Sequence, residues 1–446
     1  MRYTGAARTA GTFRLRAAVL GGACLISLGL CVVPASAAPA DVTQLSVDQL
    51  PTELVDAIAR DLKMSPEQYL QRASDAQRLR SYADDFRAQH PSDYAGAWIG
   101  DDGVPVVAVT TDEAAREVAR DGYQTRQAPV SADGLEASLD EFNRWASALP
   151  REISSQINSA GIDFLNNRVV VDVANTDIGR VLNLPTLIAN LQVVLAPVPA
   201  APNAPGAMGG DTYVTTTSSI ESASLVDIGV CSFGFNAESA SGDPVNLTAG
   251  HCNPNNSTGA GGATVFLPDY ADVRKSRPVG TFDGSSVGAA DGLDYASISL
   301  NAAGVAAGLD KPTVRGANGG ALTITGTAEP VVGAPVCKSG QSSSFTCGVV
   351  AADHVETQLL MEDGTSRTID GFASTACTLS GDSGGAIVTG TLALGITSGS
   401  NSGGAPSCSE ANLALAQYGG TASLGIPVER VVDATGATIR TSLSPA

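Results

Sequence analysis

The stretch Gly381-Asp382-Ser383-Gly384-Gly385 has the make-up of a nucleophile loop. A serine hydroxyl that attacks a carbonyl must stand on a tight turn, with backbone N–H groups aimed at the developing oxyanion. Flanking glycines permit that turn and let substrate backbone come close. A chain with 49 glycines contains many ordinary turns of similar look, so the motif needs partners. A base that works near neutral pH is most often histidine, and the chain has only three: His90, His251 and His354. His251 stands in Thr248-Ala249-Gly250-His251-Cys252, beside a cysteine able to clamp its loop, and is the candidate base. His354 lies in Asp353-His354-Val355-Glu356 and reads as a solvated strand residue.

The base needs a buried carboxylate to hold its tautomer and steady the imidazolium. Asp291 and Asp294 are the choices. Strand alternation puts Asp294 on one face with Ala296, Ile298 and Leu300. An acid at the head of an apolar face must find a buried partner, whereas Asp291 precedes Gly292 in a loop. Asp294 is the candidate.

Elements rich enough to place three such residues require a sizeable fold, and 446 residues imply two or more units. Low charge (16%) with abundant Gly, Ser, Thr and Val favours a β-rich domain. The net charge of −19 argues against nucleic acid or an anionic membrane as the main partner. Beyond residue 210, short alternating segments broken by Gly, Ser and Asn suggest a sandwich or barrel, closed by a helix over residues 427–436. Upstream lies a mixed α+β unit. Ser65, Pro66 and Gln68 form a capping-box helix start, followed by Leu70, Ala73 and Ala76 at helical spacing. Strands are expected at residues 104–109 and 168–173, with an amphipathic helix at 135–145. Pro197, Pro199, Pro202 and Pro205 mark an extended, easily cut linker over residues 196–210.

Arg2, Arg8, Arg14 and Arg16 precede an apolar run at residues 17–33, and Ala35-Ser36-Ala37 supplies a small-x-small site. This is a signal peptide cleaved after Ala37, so the product is expected to be secreted, extracellular and free of the membrane. Cys24 and Cys31 leave with it. The remaining six, Cys231, Cys252, Cys337, Cys347, Cys377 and Cys408, read as disulfides, with fifteen pairings open. No Cys-x-x-Cys pair occurs and histidine is scarce, so neither a metal site nor another cofactor is expected.

The order His251, Asp294, Ser383 within these motifs resembles the chymotrypsin-like serine peptidases, and more closely their bacterial α-lytic protease and streptogrisin group. Residues 231–235, Val336-Cys337-Lys338-Ser339-Gly340, Cys347-Gly348 and Ala376-Cys377 add to the likeness, which covers residue 209 to the end. Ala95-Gly96-Ala97-Trp98 and residues 167–171 resemble that group's pro-segments more loosely. The resemblance implies an all-β, trypsin-like fold of two six-stranded antiparallel barrels with a short C-terminal helix, preceded by an α+β pro-segment. It divides the chain into a signal peptide (1–37), a pro-segment (38–204) and a serine protease domain (205–446). It implies the pairs Cys231–Cys252, Cys337–Cys347 and Cys377–Cys408, and an oxyanion hole from the Gly381 and Ser383 N–H groups. Substrate backbone would pair with residues 398–400, from Ser398 to Ser400.

Asp382, between the two oxyanion donors, needs a buried cation. The group's internal arginine corresponds by resemblance to Arg315 in Pro312-Thr313-Val314-Arg315-Gly316, with Lys338 and Arg430 as rivals. The family pattern lines the specificity pocket with Thr378, Thr397 and Ser400. These offer no acid for Lys or Arg and no histidine for Glu, which fits a modest uncharged side chain. The expected function is a secreted serine endopeptidase made as an autoprocessed zymogen. Its partners would be polypeptide substrates and its own pro-segment, acting as inhibitor and folding aid on a monomer. The competing reading, a binding protein on an impaired protease scaffold, usually goes with a lost triad member, and none is missing here.

Overall fold

The computed structural model describes residues 43–147, 157–173, 206–256, 262–288, 290–315, 320–361, 365–402, 405–415 and 420–442. The leader expected at residues 1–37 and the linker up to residue 205 lie outside these residues. The linker's described end is not the open segment expected, because Ala207, Gly209 and Gly210 are buried and donate their N–H groups to Ala307 O, Thr313 O and Phe233 O. Among the described residues, no helix is long and apolar enough to cross a membrane.

The upstream unit is α+β. After α1 (Thr52–Ala57) comes α2 (Pro66–Gln89), which starts at the expected capping box. Ser65 Oγ accepts from Gln68 N at 3.2 Å and Gln68 Oε1 accepts from Ser65 N at 2.9 Å. The helix runs further than its first periodic residues because Ala76, Leu79, Ala83 and Phe86 continue one buried stripe. β1 (Tyr94–Ile99) and β2 (Pro105–Val109) pair antiparallel, and β3 (Gln124–Gln127) joins β2 in parallel after α3 (Asp112–Arg120). Beyond α4 (Ala132–Ser147), β4 (Ile157–Asp163) and β5 (Arg168–Val173) form a hairpin.

The first barrel uses β6 (Thr212–Thr216), β7 (Gly229–Ser232), β8 (Phe235–Glu238), β9 (Pro244–Thr248), β10 (Thr264–Leu267), β11 (Arg277–Val287) and β12 (Asp294–Leu300). β7 and β8 are halves of one bent strand. A Cβ at Gly234, in the bend, would lie 2.1 Å from Leu247 O, so only glycine fits. Because β7 pairs with β6 while β8 pairs with β9, the ring β6, β7/β8, β9, β12, β11, β10 closes antiparallel.

α5 (Ala302–Ala307), β13 (Thr313–Arg315), β14 (Ala321–Thr323) and β15 (Gly326–Thr327) carry the chain to the second barrel. That ring is β16 (Pro335–Gly340), β19 (Ala386–Thr389), β20 (Leu392–Ser400), β21 (Ser423–Pro427), β18 (Ser366–Ser374) and β17 (Ser344–Leu360), closed by pairing of β16 with β17. Two six-stranded antiparallel barrels are thus present, as expected. After α6 (Cys408–Leu415), the terminal helix α7 (Val428–Thr435) stops at Gly436, whose φ is +66°, and β22 (Thr438–Ile439) returns to β8.

The upstream unit packs on the second barrel. Its β4 extends that sheet by pairing with β17, Gly161 opposite Val355 and Ala160 opposite Glu356. The α2 stripe shares one core with Val336, Val350, Phe372, Leu392 and Leu394. Barrel strands whose outer face is apolar are thereby covered.

Candidate active site

His251 sits on a single 3-10 turn after β9 (Gly250–Cys252), and its neighbour Cys252 is bonded to Cys231 on β7. A Cβ at Gly250 would lie 2.1 Å from Ser286 O, so the turn can press against β11 only with glycine there. Asp294 opens β12 with no solvent exposure. Its Oδ1 accepts from His251 N at 2.8 Å, its Oδ2 faces His251 Nδ1 at 2.7 Å, and Ser398 Oγ donates to Oδ2 at 2.6 Å. Burial alone would raise this carboxyl's pKa, but the imidazolium charge and the three donors outweigh it and hold the group below the usual carboxylate range. With Nδ1–H directed at Asp294, the ring presents Nε2 as its basic nitrogen.

Ser383 is buried on a loop with Gly381 at φ +90° and Gly384 at φ +83°, both in the left-handed region glycine favours. Ser232 braces this loop from β7: its N donates to Ser383 O at 2.8 Å and its Oγ to Gly381 O at 2.8 Å. Gly384 lies so close to the His251 segment that a Cβ would meet Thr248 Oγ1 at 2.0 Å. The serine loop and the histidine loop therefore abut. Among the described residues, neither the Gly381 N–H nor the Ser383 N–H has a hydrogen-bond partner, as two oxyanion donors require.

Thr378, Thr397, Ser398 and Ser400 converge beside this loop, all buried. Ser400 Oγ and Ser402 Oγ each donate to Thr378 O at 2.7 Å, and Ser423 Oγ donates to Thr378 Oγ1 at 2.7 Å. β19 pairs with β20 only as far as Ile396, which leaves the β19 side of residues 398–400 outside that ladder. Ser398's hydroxyl is committed to Asp294, a role its place in the sequence did not announce. Cys231 and Cys252 are the sulfurs nearest His251 and are joined to each other, which removes the thiolates a metal would need. His354 stands apart on β17, half-exposed beside Asp370.

A family model for the α-lytic protease pro N-terminal region matches residues 67–127. Streptogrisin-C of Streptomyces griseus is 29% identical over 447 residues, covering 97% of this chain and 85% of that protein. Serine protease 1 of Streptomyces fradiae is 30% identical over 322 residues, covering 69% of this chain and 76% of that protein. This chain belongs to the streptogrisin and α-lytic protease family. Like the family's other members it is a serine endopeptidase carrying an N-terminal pro-segment and acting on polypeptides. Thermobifida fusca Protease A, a solved structure, is 27% identical, with 53% of this chain and 98% of that chain covered at a TM-score of 0.38.

Within this streptogrisin-type framework one expectation is corrected: Arg315 does not pair with Asp382. Its guanidinium contacts the Asp211 carboxylate and donates to Gly206 O at 2.5 Å, because β13 runs beside Gly209 and turns the side chain toward the start of the barrel. The buried cation at Asp382 is Lys338 on β16, with Nζ 2.7 Å from Oδ2. Leu379 N and Ser343 Oγ also donate to Oδ2, at 2.8 and 2.6 Å, and Ser342 N and Ser343 N donate to Oδ1, at 2.8 and 3.0 Å. Burial lowers the ammonium's pKa and Asp382 opposes that shift. The deciding cue lay next to Cys337 in the Val336–Gly340 motif. Arg430, the other rival, pairs with Asp370 instead.

Proposed function

We propose that this chain is a secreted endopeptidase that hydrolyses peptide bonds through an acyl-enzyme on Ser383. The observation that carries the reading is the two-point hold of Asp294 on His251, through its backbone N and its Nδ1, which leaves Nε2 as the base. His251 takes the Ser383 proton as Oγ attacks the carbonyl carbon, and the Gly381 and Ser383 N–H groups receive the oxyanion. Collapse breaks the C–N bond, with the proton passing from His251 to the leaving amine. Water, deprotonated by the same base, then attacks the ester, and Ser383 recovers its proton. Thr378, Thr397 and Ser400 bound the specificity pocket, and the edge at residues 398–400 takes substrate backbone as an added strand.

Secretion rests on the basic start, apolar run and Ala35-Ser36-Ala37 site. Residues 38–204 act as the pro-segment, cut from the protease domain within the proline-rich linker. Non-local barrel pairing folds slowly, and a segment that lays strand β4 on β17 and helix α2 on the second barrel's outer apolar face can template that pairing. Asp382 has its cation before any cleavage, so the oxyanion loop does not wait for a new N-terminus. Latency is obstruction by the pro-segment. Replacing Ser383 with alanine should lower turnover on the order of 10⁶-fold and block processing in cis. Retained turnover would sink the assignment.

A further inference from the structure

Three consecutive backbone carbonyls lead into Asp294, and each is held from a different part of the fold. Asp291 O accepts from Arg430 Nη2 at 3.2 Å, Gly292 O from Asp370 N at 2.7 Å, and Leu293 O from Gly288 N at 2.9 Å. Asp291 Oδ1 closes the turn from within, accepting from Leu293 N at 3.1 Å and Ser286 Oγ at 3.0 Å. Gly292 adopts φ +67°, and a Cβ there would lie 3.2 Å from Asp370 Cβ, so turn and strand β18 are in direct contact. Two of the three anchors come from outside the first barrel: Asp370 on β18 and Arg430 on α7. They are bonded to each other, Arg430 Nη1 to Asp370 Oδ2 at 2.6 Å. The second Asp370 oxygen is buried, with His354 Nδ1 3.2 Å away but out of hydrogen-bonding alignment.

We propose that Asp370 and Arg430 are positioning residues for Asp294. Arg430 reaches both the Asp370 carboxylate and the Asp291 carbonyl, a two-armed contact that its planar fork allows and a lysine cannot reproduce. It ties the second barrel and the terminal helix to the turn from which Asp294 projects. Asp294 must meet His251 N and Nδ1 together, a demand that small displacements defeat. Nothing in the proton transfer passes through Asp370 or Arg430. They act only through the position of Asp294, and the inference rests on the reading that Asp294 orients the base.

The test uses processed enzyme bearing Arg430→Met, Arg430→Lys, Asp370→Asn or Asp294→Asn, with sites counted by a fluorophosphonate. Kinetics are read alongside the low-field proton resonance of the His251 Nδ1–H. Arg430→Met should lower kcat roughly 10–100-fold, leave KM within about twofold, and broaden or move that resonance. Arg430→Lys and Asp370→Asn should fall between it and wild type. A lower melting temperature with kcat and the resonance unchanged would make the pair merely structural and overturn the proposal. Should Arg430→Met not fold, the same two readouts on Arg430→Lys and Asp370→Asn decide the matter. Undiminished activity in Asp294→Asn would instead overturn the reading beneath it.

Discussion

Lys338 Nζ lies 2.7 Å from Asp382 Oδ2, and both side chains are almost wholly removed from water. Asp382 stands between Gly381 and Ser383, whose N–H groups we propose as the oxyanion donors, so this pair fixes the backbone on which the proposed reaction depends. Removing one partner of a buried pair leaves an uncompensated charge.

Lys338→Met should therefore cost about 3–5 kcal/mol and depress kcat more than KM, because the Gly381 and Ser383 N–H groups lose their setting. Arg315→Ala strands Asp211 and should cost comparable stability while sparing kcat per labelled site. Melting curves and titrated kinetics on both variants check this. If Arg315→Ala lost kcat and Lys338→Met did not, the assignment of Lys338 would be wrong.

The depressed Asp294 carboxyl gives a second expectation. An unfolded aspartate titrates near 3.9, about a carboxylate's ordinary value, and the folded group titrates lower. Its contribution is present above the unfolded value and lost as pH falls through the folded one. The stability gap between wild type and Asp294→Asn should thus shrink between about pH 5 and pH 2. Denaturant midpoints across that range check it. A gap that widened in acid would contradict the proposed charge state.

Much of the candidate site was legible because chemistry restricts it to few residue types. Three histidines and one Gly-Asp-Ser-Gly-Gly loop left little choice, and strand alternation separated Asp294 from Asp291. The short alternating segments made a sandwich or barrel legible, and the two six-stranded barrels came from the family resemblance. What could not be read were relationships set by which strands lie side by side. Lys338 faces Asp382 only because β16 pairs with β19, and Arg315 faces Asp211 only because β13 lies beside Gly209. Strand β4 pairs locally with β5 and also with β17, Gly161 opposite Val355, and nothing in the sequence around residue 161 announces that second, distant partner. Ser398 and Ser232 show the same limit: a lone serine in a glycine-rich chain does not declare which loop it braces.

The contact between pro-segment and protease should respond to pH. Asp353 and Glu356 on β17 both have raised pKa values, burial being the main cause. Facing them are Arg80 from α2, Glu136 and Asp140 from α4, and His354 and Asp370 from β17 and β18. Asn143 Nδ2 also donates to Glu356 Oε2 at 2.6 Å. Separation returns both carboxyls to water and toward ordinary values, so the complex binds the extra protons. Association is strongest below the free-state pKa and weakens as pH rises through the bound-state value. Inhibition of processed enzyme by pro-segment added in trans, followed from about pH 4 to pH 8, should show the inhibition constant rising with pH. A constant that fell with pH would refute this account of the interface.

The most direct test of the central claim is to trap the covalent intermediate. Processed enzyme mixed with a peptide ester of a small uncharged residue, quenched in acid within milliseconds and digested, should yield one acylated peptide. Tandem mass spectrometry should place the acyl group on Ser383, with about one equivalent per active enzyme. In Asp294→Asn the adduct should form orders of magnitude more slowly, by about 10⁴-fold, since the base then holds the wrong tautomer. An acyl group on any other residue, or undiminished peptide hydrolysis with no adduct at all, would contradict the account.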